Sequence, residues 1–207
     1  MTVMPARPRI GFLASHNGTN MRVIVAAMRA GALSADPAVL ISNNRDSTAI
    51  AWAGENNVPW AHLSAKVTGS DEATDAAIAE SLKSHGADLV VLAGYMRKLG
   101  PATLKAYHRR ILNVHPALLP KFGGQGMYGA FVHEAVLKAG ARETGATIHI
   151  VDGEYDHGPV VMQAQVPVEP GDTAQTLAAR VQAREQTLYP EVLKKIISGE
   201  IDLDRLT

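Results

Sequence analysis

Between residues 9 and 115, apolar runs of strand length alternate with helix-forming segments, and this alternation leaves few folds open. Arg9-Ile-Gly-Phe-Leu-Ala-Ser15, Ala38-Val-Leu-Ile-Ser42 and Asp88-Leu-Val-Val-Leu-Ala93 are each nearly continuous in apolar residues. A strand carries that pattern when helices cover both faces of its sheet. The segments between read as helices over residues 21–29, from the turn Asn43-Asn-Arg-Asp46, which carries an N-cap, to about 56, and from Ser70 or Asp71 to near Gly86. Residues 59–63 suit a short third strand. Pro101 sits at a helix start, where its missing N–H costs nothing, and residues 111–115 form the next strand. Strands that alternate with helices predict a parallel sheet wound with right-handed crossovers.

The second half is less regular. Lys121-Phe-Gly-Gly-Gln-Gly-Met-Tyr-Gly129 is too rich in glycine for helix or strand and reads as a loop that approaches something closely. Residues 131–139 suit a helix. Residues 144–151 and 160–168 suit two strands joined by Asp152-Gly-Glu-Tyr-Asp-His-Gly-Pro159. A further helix is expected over residues 172–186, with Asp172 as N-cap and Gln175 reaching back as in a capping box. Pro190 should restart the helix, which runs to about 198. The expected fold is a single α/β domain over residues 1–207. Its sheet is doubly wound and mostly parallel, Rossmann-like in the N-terminal half, with an antiparallel edge in the C-terminal half.

Composition removes several function classes. The 207 residues are 46% hydrophobic and 19% charged, ordinary values for a full core, with a formal net charge of zero. Balanced charge argues against a broad nucleic-acid surface. The chain has no cysteine, which excludes disulfides, thiolate nucleophiles and cysteine-based metal centres. Residues 1–9 lack the apolar core of a signal peptide, and no apolar run approaches the roughly 20 residues that span a bilayer. The expectation is a cytoplasmic protein with no membrane or nucleic-acid partner.

Chemistry concentrates in a few places. Asn113-Val-His-Pro-Ala-Leu-Leu-Pro120 puts an amide and an imidazole on one face of a strand, two residues apart, and Pro116 disfavours helix before it. An imidazole moves protons near neutral pH, and an amide N–H stabilises an oxyanion. The pair suits attack on a carbonyl carbon. A carboxylate touching His115 would orient it, and Asp152, Glu154 and Asp156 all stand in the right connection. His149 and His157 raise a metal site, yet no ligand spacing of the His-x-x-x-His kind occurs. Ser15-His-Asn-Gly-Thr-Asn20 joins a strand to a helix N-terminus, where free N–H groups and the helix dipole suit a phosphate. The same turn also reads as a plain Asn-Gly turn before a capped helix. Gln182 and Glu185, three apart on a helix, would by themselves be a solvated pair.

Six motifs follow one another along the chain: Ser15-His-Asn-Gly-Thr-Asn20, Ala93-Gly-Tyr-Met-Arg-Lys-Leu99, Asn113-Val-His-Pro116, Gly145-Ala-Thr-Ile-His-Ile-Val-Asp152, Asp156-His-Gly-Pro159 and Ala179-Arg-Val-Gln-Ala-Arg-Glu185. Taken together and in this order, they resemble the folate-dependent phosphoribosylglycinamide formyltransferases. The resemblance implies transfer of a formyl group from 10-formyltetrahydrofolate to the amine of a phosphoribosyl glycinamide. It implies a phosphate-binding half over about 8–100 and a catalytic and folate-binding half over about 101–207. Asn113, His115 and Asp156 would be catalytic. Gly18, Thr19, Asn20, Gln182 and Glu185 would bind the acceptor. Met96, Arg97, Lys98, Leu99, Asn113, Asp152 and Asp156 would line the folate site. No metal is implied, the partners are small molecules, and both a monomer and a homodimer are compatible. In Ser70-Asp-Glu-Ala-Thr-Asp75, many relatives carry an arginine where this chain has acidic and small residues, so no ligand contact is carried over there. A tetrahydrofolate-forming hydrolase shares the Asn, His and Asp set but normally has an extra N-terminal domain. A methionyl-tRNA formyltransferase would need an RNA-binding domain.

Overall fold

The predicted alternation folds into one sheet. In the computed structural model, which describes residues 4–207, the strands are β1 (Arg9–Leu13), β2 (Asp36–Ser42), β3 (Trp60–His62), β4 (Leu89–Leu92), β5 (Ile111–His115), β6 (Glu143–Ile150) and β7 (Val160–Pro167). Residues 1–3 of the N-terminal stretch considered above lie outside the described residues. The helices are α1 (Thr19–Arg29), α2 (Thr48–Glu55), α3 (Ala65–Thr68), α4 (Asp71–Ser84), α5 (Pro101–Ala106), α6 (Ala130–Lys138) and α7 (Ala174–Ile197). Strand order is β3-β2-β1-β4-β5-β6-β7. The first five strands are parallel, and β6 and β7 add an antiparallel edge.

Side chains alternate across each strand and build two cores. Ile10, Phe12, Leu40, Leu89 and Val91 pack with Ile24 of α1, Ala49 of α2 and Leu188 of α7. Leu13, Val39, Ile41, Val90 and Leu92 pack with Ile78 and Leu82 of α4. Each large apolar side chain so buried stabilises the fold by about 1.5–3 kcal/mol. Burial on both faces is the reason these strands are apolar at nearly every position.

Three local expectations are corrected. The cap of α2 lies after the Asn43–Asp46 turn, at Ser47, whose side chain accepts from Ile50 N–H. The cap of α7 is Thr173, paired with Thr176 in a capping box, in place of Asp172 with Gln175. Asp172 is held by Arg180 instead, through two hydrogen bonds of 2.7 and 2.9 Å. Finally, Pro190 lies inside a continuous α7. An interior proline costs roughly 3 kcal/mol, but Leu188, Tyr189, Val192 and Leu193 are fully buried on either side of it. Their burial outweighs that cost.

Strand order reverses between β1 and β4, which opens a crevice at the carboxyl ends of these strands. Among the described residues, no helix is long and apolar enough to cross a membrane.

Candidate active site

The last residues of β5 carry the predicted pair. His115 is buried, with 3% of its surface exposed, and Asn113 is half-buried. Antiparallel pairing sets His149 of β6 directly opposite Asn113. His149 Nδ1 lies 3.0 Å from the Ile150 carbonyl, so that nitrogen carries the proton. His149 Nε2 is then free to accept from Asn113 Nδ2 at 3.2 Å. This contact fixes which way the Asn113 amide points and leaves its second N–H available.

The carboxylate that reaches His115 is that of Asp156. Its Oδ2 lies 3.3 Å from His115 Nδ1, and its Oδ1 lies 3.5 Å from His149 Nε2. Asp156 has φ of 55°, a left-handed conformation that Asp tolerates better than most residues. Gly124 N–H donates to Oδ2 at 3.0 Å. Burial alone would raise the carboxyl pKa of Asp156. The hydrogen bond from His115, the charge of His115 and the Gly124 N–H act against burial, and the pKa is held well below the usual range. His115 Nε2 meets the Phe122 carbonyl at 2.7 Å. Both ring nitrogens thus face acceptors, an arrangement that suits a doubly protonated imidazole. The glycine-rich loop after β5 is the close-approach segment expected from the sequence, because it delivers the Phe122 carbonyl and the Gly124 N–H to this cluster.

The turn after β1 lies at the other side of the crevice. Gly18 precedes α1 with φ of 59°, in the left-handed region that glycine adopts most readily. The start of α2 braces the turn: Ala49 N–H donates to the His16 carbonyl, and Thr48 Oγ1 donates to Asn17 Oδ1. Asn20 is buried, and its Nδ2 donates to Glu185 Oε2 of α7 at 3.2 Å. Among the described residues, Asn20 Oδ1 has no hydrogen-bond partner. Burial pushes Glu185 up to about 7, against the lowering effects of the Asn20 hydrogen bond and the His115 charge. Glu185 is half-buried and faces the Asn20 turn. Gln182 is exposed one turn earlier and is not brought in with it.

One small cavity borders the cluster, and a larger one shares part of its lining. The smaller, about 90 Å³, is lined by Arg97, Leu99, Asn113, His149, Asp152 and Asp156, among others. The larger, about 750 Å³, shares Arg97, Lys98, Leu99 and Tyr155 with it and extends past Met96 to α4. Of the expected folate-lining residues, Met96 thus borders only the larger cavity. Asp71, Glu72 and Asp75, to which the sequence assigned no ligand contact, line its far wall. Among the described residues, no group of His, Asp and Glu side chains is arranged to hold a metal ion. His149 is the site residue that the sequence reading missed as part of the cluster. Its signal was the β5–β6 register, which sets it opposite Asn113.

Similarity to known proteins agrees with this architecture. Residues 8–193 match the formyl transferase family. The chain is 39% identical, over 95% of its length and 68% of the relative, to the chloroplastic phosphoribosylglycinamide formyltransferase of Arabidopsis thaliana. It is 36% identical to that of Haemophilus influenzae, over 94% of its length and 90% of the relative. The solved structure of glycinamide ribonucleotide transformylase 1 from Symbiobacterium toebii superposes with a TM-score of 0.89 at 38% identity, covering 98% of this chain and 94% of that one. The match extends through β5, the turn after β1 and most of α7, and on it the chain belongs to the formyl transferase family.

Proposed function

We propose that this protein transfers the formyl group of 10-formyltetrahydrofolate to the amine of 5'-phosphoribosylglycinamide, a step of de novo purine synthesis. The observation that carries the reading is the position of the Asn113–His115–Asp156 cluster. It borders the smaller cavity on one side, and through Glu185 it is linked to the Asn20 turn on the other. The folate donor occupies the cavities, with its pterin edge against residues 152–156 and its body along Met96, Arg97, Lys98 and Leu99. The acceptor's phosphate sits on Gly18, Thr19 and Asn20 at the α1 N-terminus. Glu185 faces its glycinamide portion, and the unpaired Asn20 Oδ1 accepts from a ligand N–H or hydroxyl.

The acceptor amine attacks the formyl carbon, forming the C–N bond and a tetrahedral oxyanion. The free N–H of Asn113 and the protonated His115 donate to that oxyanion, and Asp156 stabilises the imidazolium. His115 Nε2 must exchange the Phe122 carbonyl for the oxyanion, so the loop after β5 yields on binding. The intermediate collapses as the bond to the folate nitrogen breaks. A proton from the amine passes to that nitrogen through water or His115, leaving tetrahydrofolate and the formamide product. Removal of one oxyanion donor costs about 10²–10³ in rate at comparable acyl-transfer sites. Asn113→Ala and His115→Ala should each lose at least that much turnover while remaining folded. Near-normal turnover in either folded variant would rule out the assignment.

A further inference from the structure

Tyr95, Arg97, Lys98 and Leu99 line both cavities, yet the segment that carries them, residues 94–100, belongs to no helix or strand. Two buried side chains from distant segments hold their shape. Near the start, Ser15 Oγ accepts from Met96 N–H at 2.8 Å and donates to Asn43 Oδ1 at 2.6 Å. At the end, Asp75 of α4 accepts three backbone N–H groups: Gly100 and Thr103 on Oδ1, both at 3.2 Å, and Ala102 on Oδ2 at 2.7 Å. Thr103 Oγ1 also donates to the Asp75 carbonyl at 3.1 Å. Asp75 is 7% exposed, and these donors stand in for the water that burial removes from its carboxylate. The approach is close: a Cβ on Gly100 would lie 2.4 Å from Asp75 Oδ2.

Helix α5, capped in this way, is a single short element of six residues. The carboxylate also fixes where the chain leaves the wall after residues 97–99. These are the residues that face both cavities. We propose that Asp75 is a positioning residue for the formyl donor, acting through Gly100 and Ala102 to hold Arg97, Lys98 and Leu99 against it. The proposal rests on the reading of the cavities as the donor site.

The test uses the whole protein and the variants Asp75→Asn and Gly100→Ala. In Asp75→Asn, an amide N–H replaces the acceptor facing Ala102 N–H, which loses the shortest bond while keeping the shape. In Gly100→Ala, the new methyl pushes the segment off Asp75 without touching the charge. The readouts are steady-state kinetics in both substrates, tetrahydrofolate binding by calorimetry and the urea midpoint. The expected result is a rise of about tenfold or more in the donor KM and in the tetrahydrofolate Kd, with kcat and the acceptor KM within about twofold of wild type. Unchanged donor parameters in both folded variants would overturn the proposal. So would parallel losses in all parameters that track stability alone. Should Asp75→Asn not fold, Gly100→Ala decides between these outcomes. A wild-type protein that binds no tetrahydrofolate would instead remove the donor-site reading itself, and the proposal with it.

Discussion

Glu185 offers a test in which stability and function move in opposite directions. Its carboxyl is pushed by burial from 4.5 to about 7. The folded protein therefore binds that proton more tightly than the unfolded chain does. Because the folded pKa is the higher one, this group leaves stability untouched below about pH 4.5. It then erodes stability as pH rises toward 7 and costs a constant amount above that. At about 1.4 kcal/mol per pKa unit, the full penalty is about 3 kcal/mol. Glu185→Gln removes the ionisation and keeps an acceptor for Asn20 Nδ2. Urea denaturation of both proteins from pH 4 to pH 8 should give superimposed stabilities at pH 4. The variant should gain up to about 3 kcal/mol by pH 8. Turnover should fall over the same range, because the variant has no carboxylate to face the acceptor. In wild type, kcat/KM for the acceptor should rise through about pH 7, and the variant should lack that step. A stability difference independent of pH would refute the reasoning.

Asp156→Asn removes a carboxylate whose pKa is depressed, so the sign reverses. The stability it contributes is present above its ordinary value near 4 and is lost as pH falls below that. The variant should be about 2–3 kcal/mol less stable at pH 7, with the gap closing in acid, and should lose at least 10²-fold in kcat; a stability gap that stays constant from pH 7 into acid would count against it. Gly123→Ala should cost at least tenfold in kcat/KM, because the new Cβ would lie 2.4 Å from Leu119 Cδ2 and 3.3 Å from Asp156 Cβ. Its stability loss should stay near 1–2 kcal/mol, since the Leu119 side-chain end can shift. Full activity in that variant would show that the loop tolerates displacement.

The sheet was legible because apolar runs report burial on both faces, and because the Asn113–His115 spacing reports a shared face. Local chemistry of that kind needs no tertiary information. Three neighbouring acidic candidates could not be separated by sequence, because the choice of Asp156 depends on a left-handed backbone at one position. His149 joined the cluster through strand register between segments some 35 residues apart. Asp172 looked like a cap until Arg180, two turns on, claimed its carboxylate, and Thr173 took the role. Pro190 looked like a break because propensity is local, whereas the burial around it is not. Glu185 and Gln182 share a helix, but only the position of α7 against α1 turns one inward and leaves the other exposed.

The central claim is that the cluster moves a formyl group to an amine and not to water. The direct measurement is the absorbance change on release of tetrahydrofolate, followed with purified protein and 10-formyltetrahydrofolate, with and without phosphoribosylglycinamide. The account predicts product release that depends on the acceptor, one equivalent per amine formylated. Equal release in its absence would contradict the account and make the protein a hydrolase.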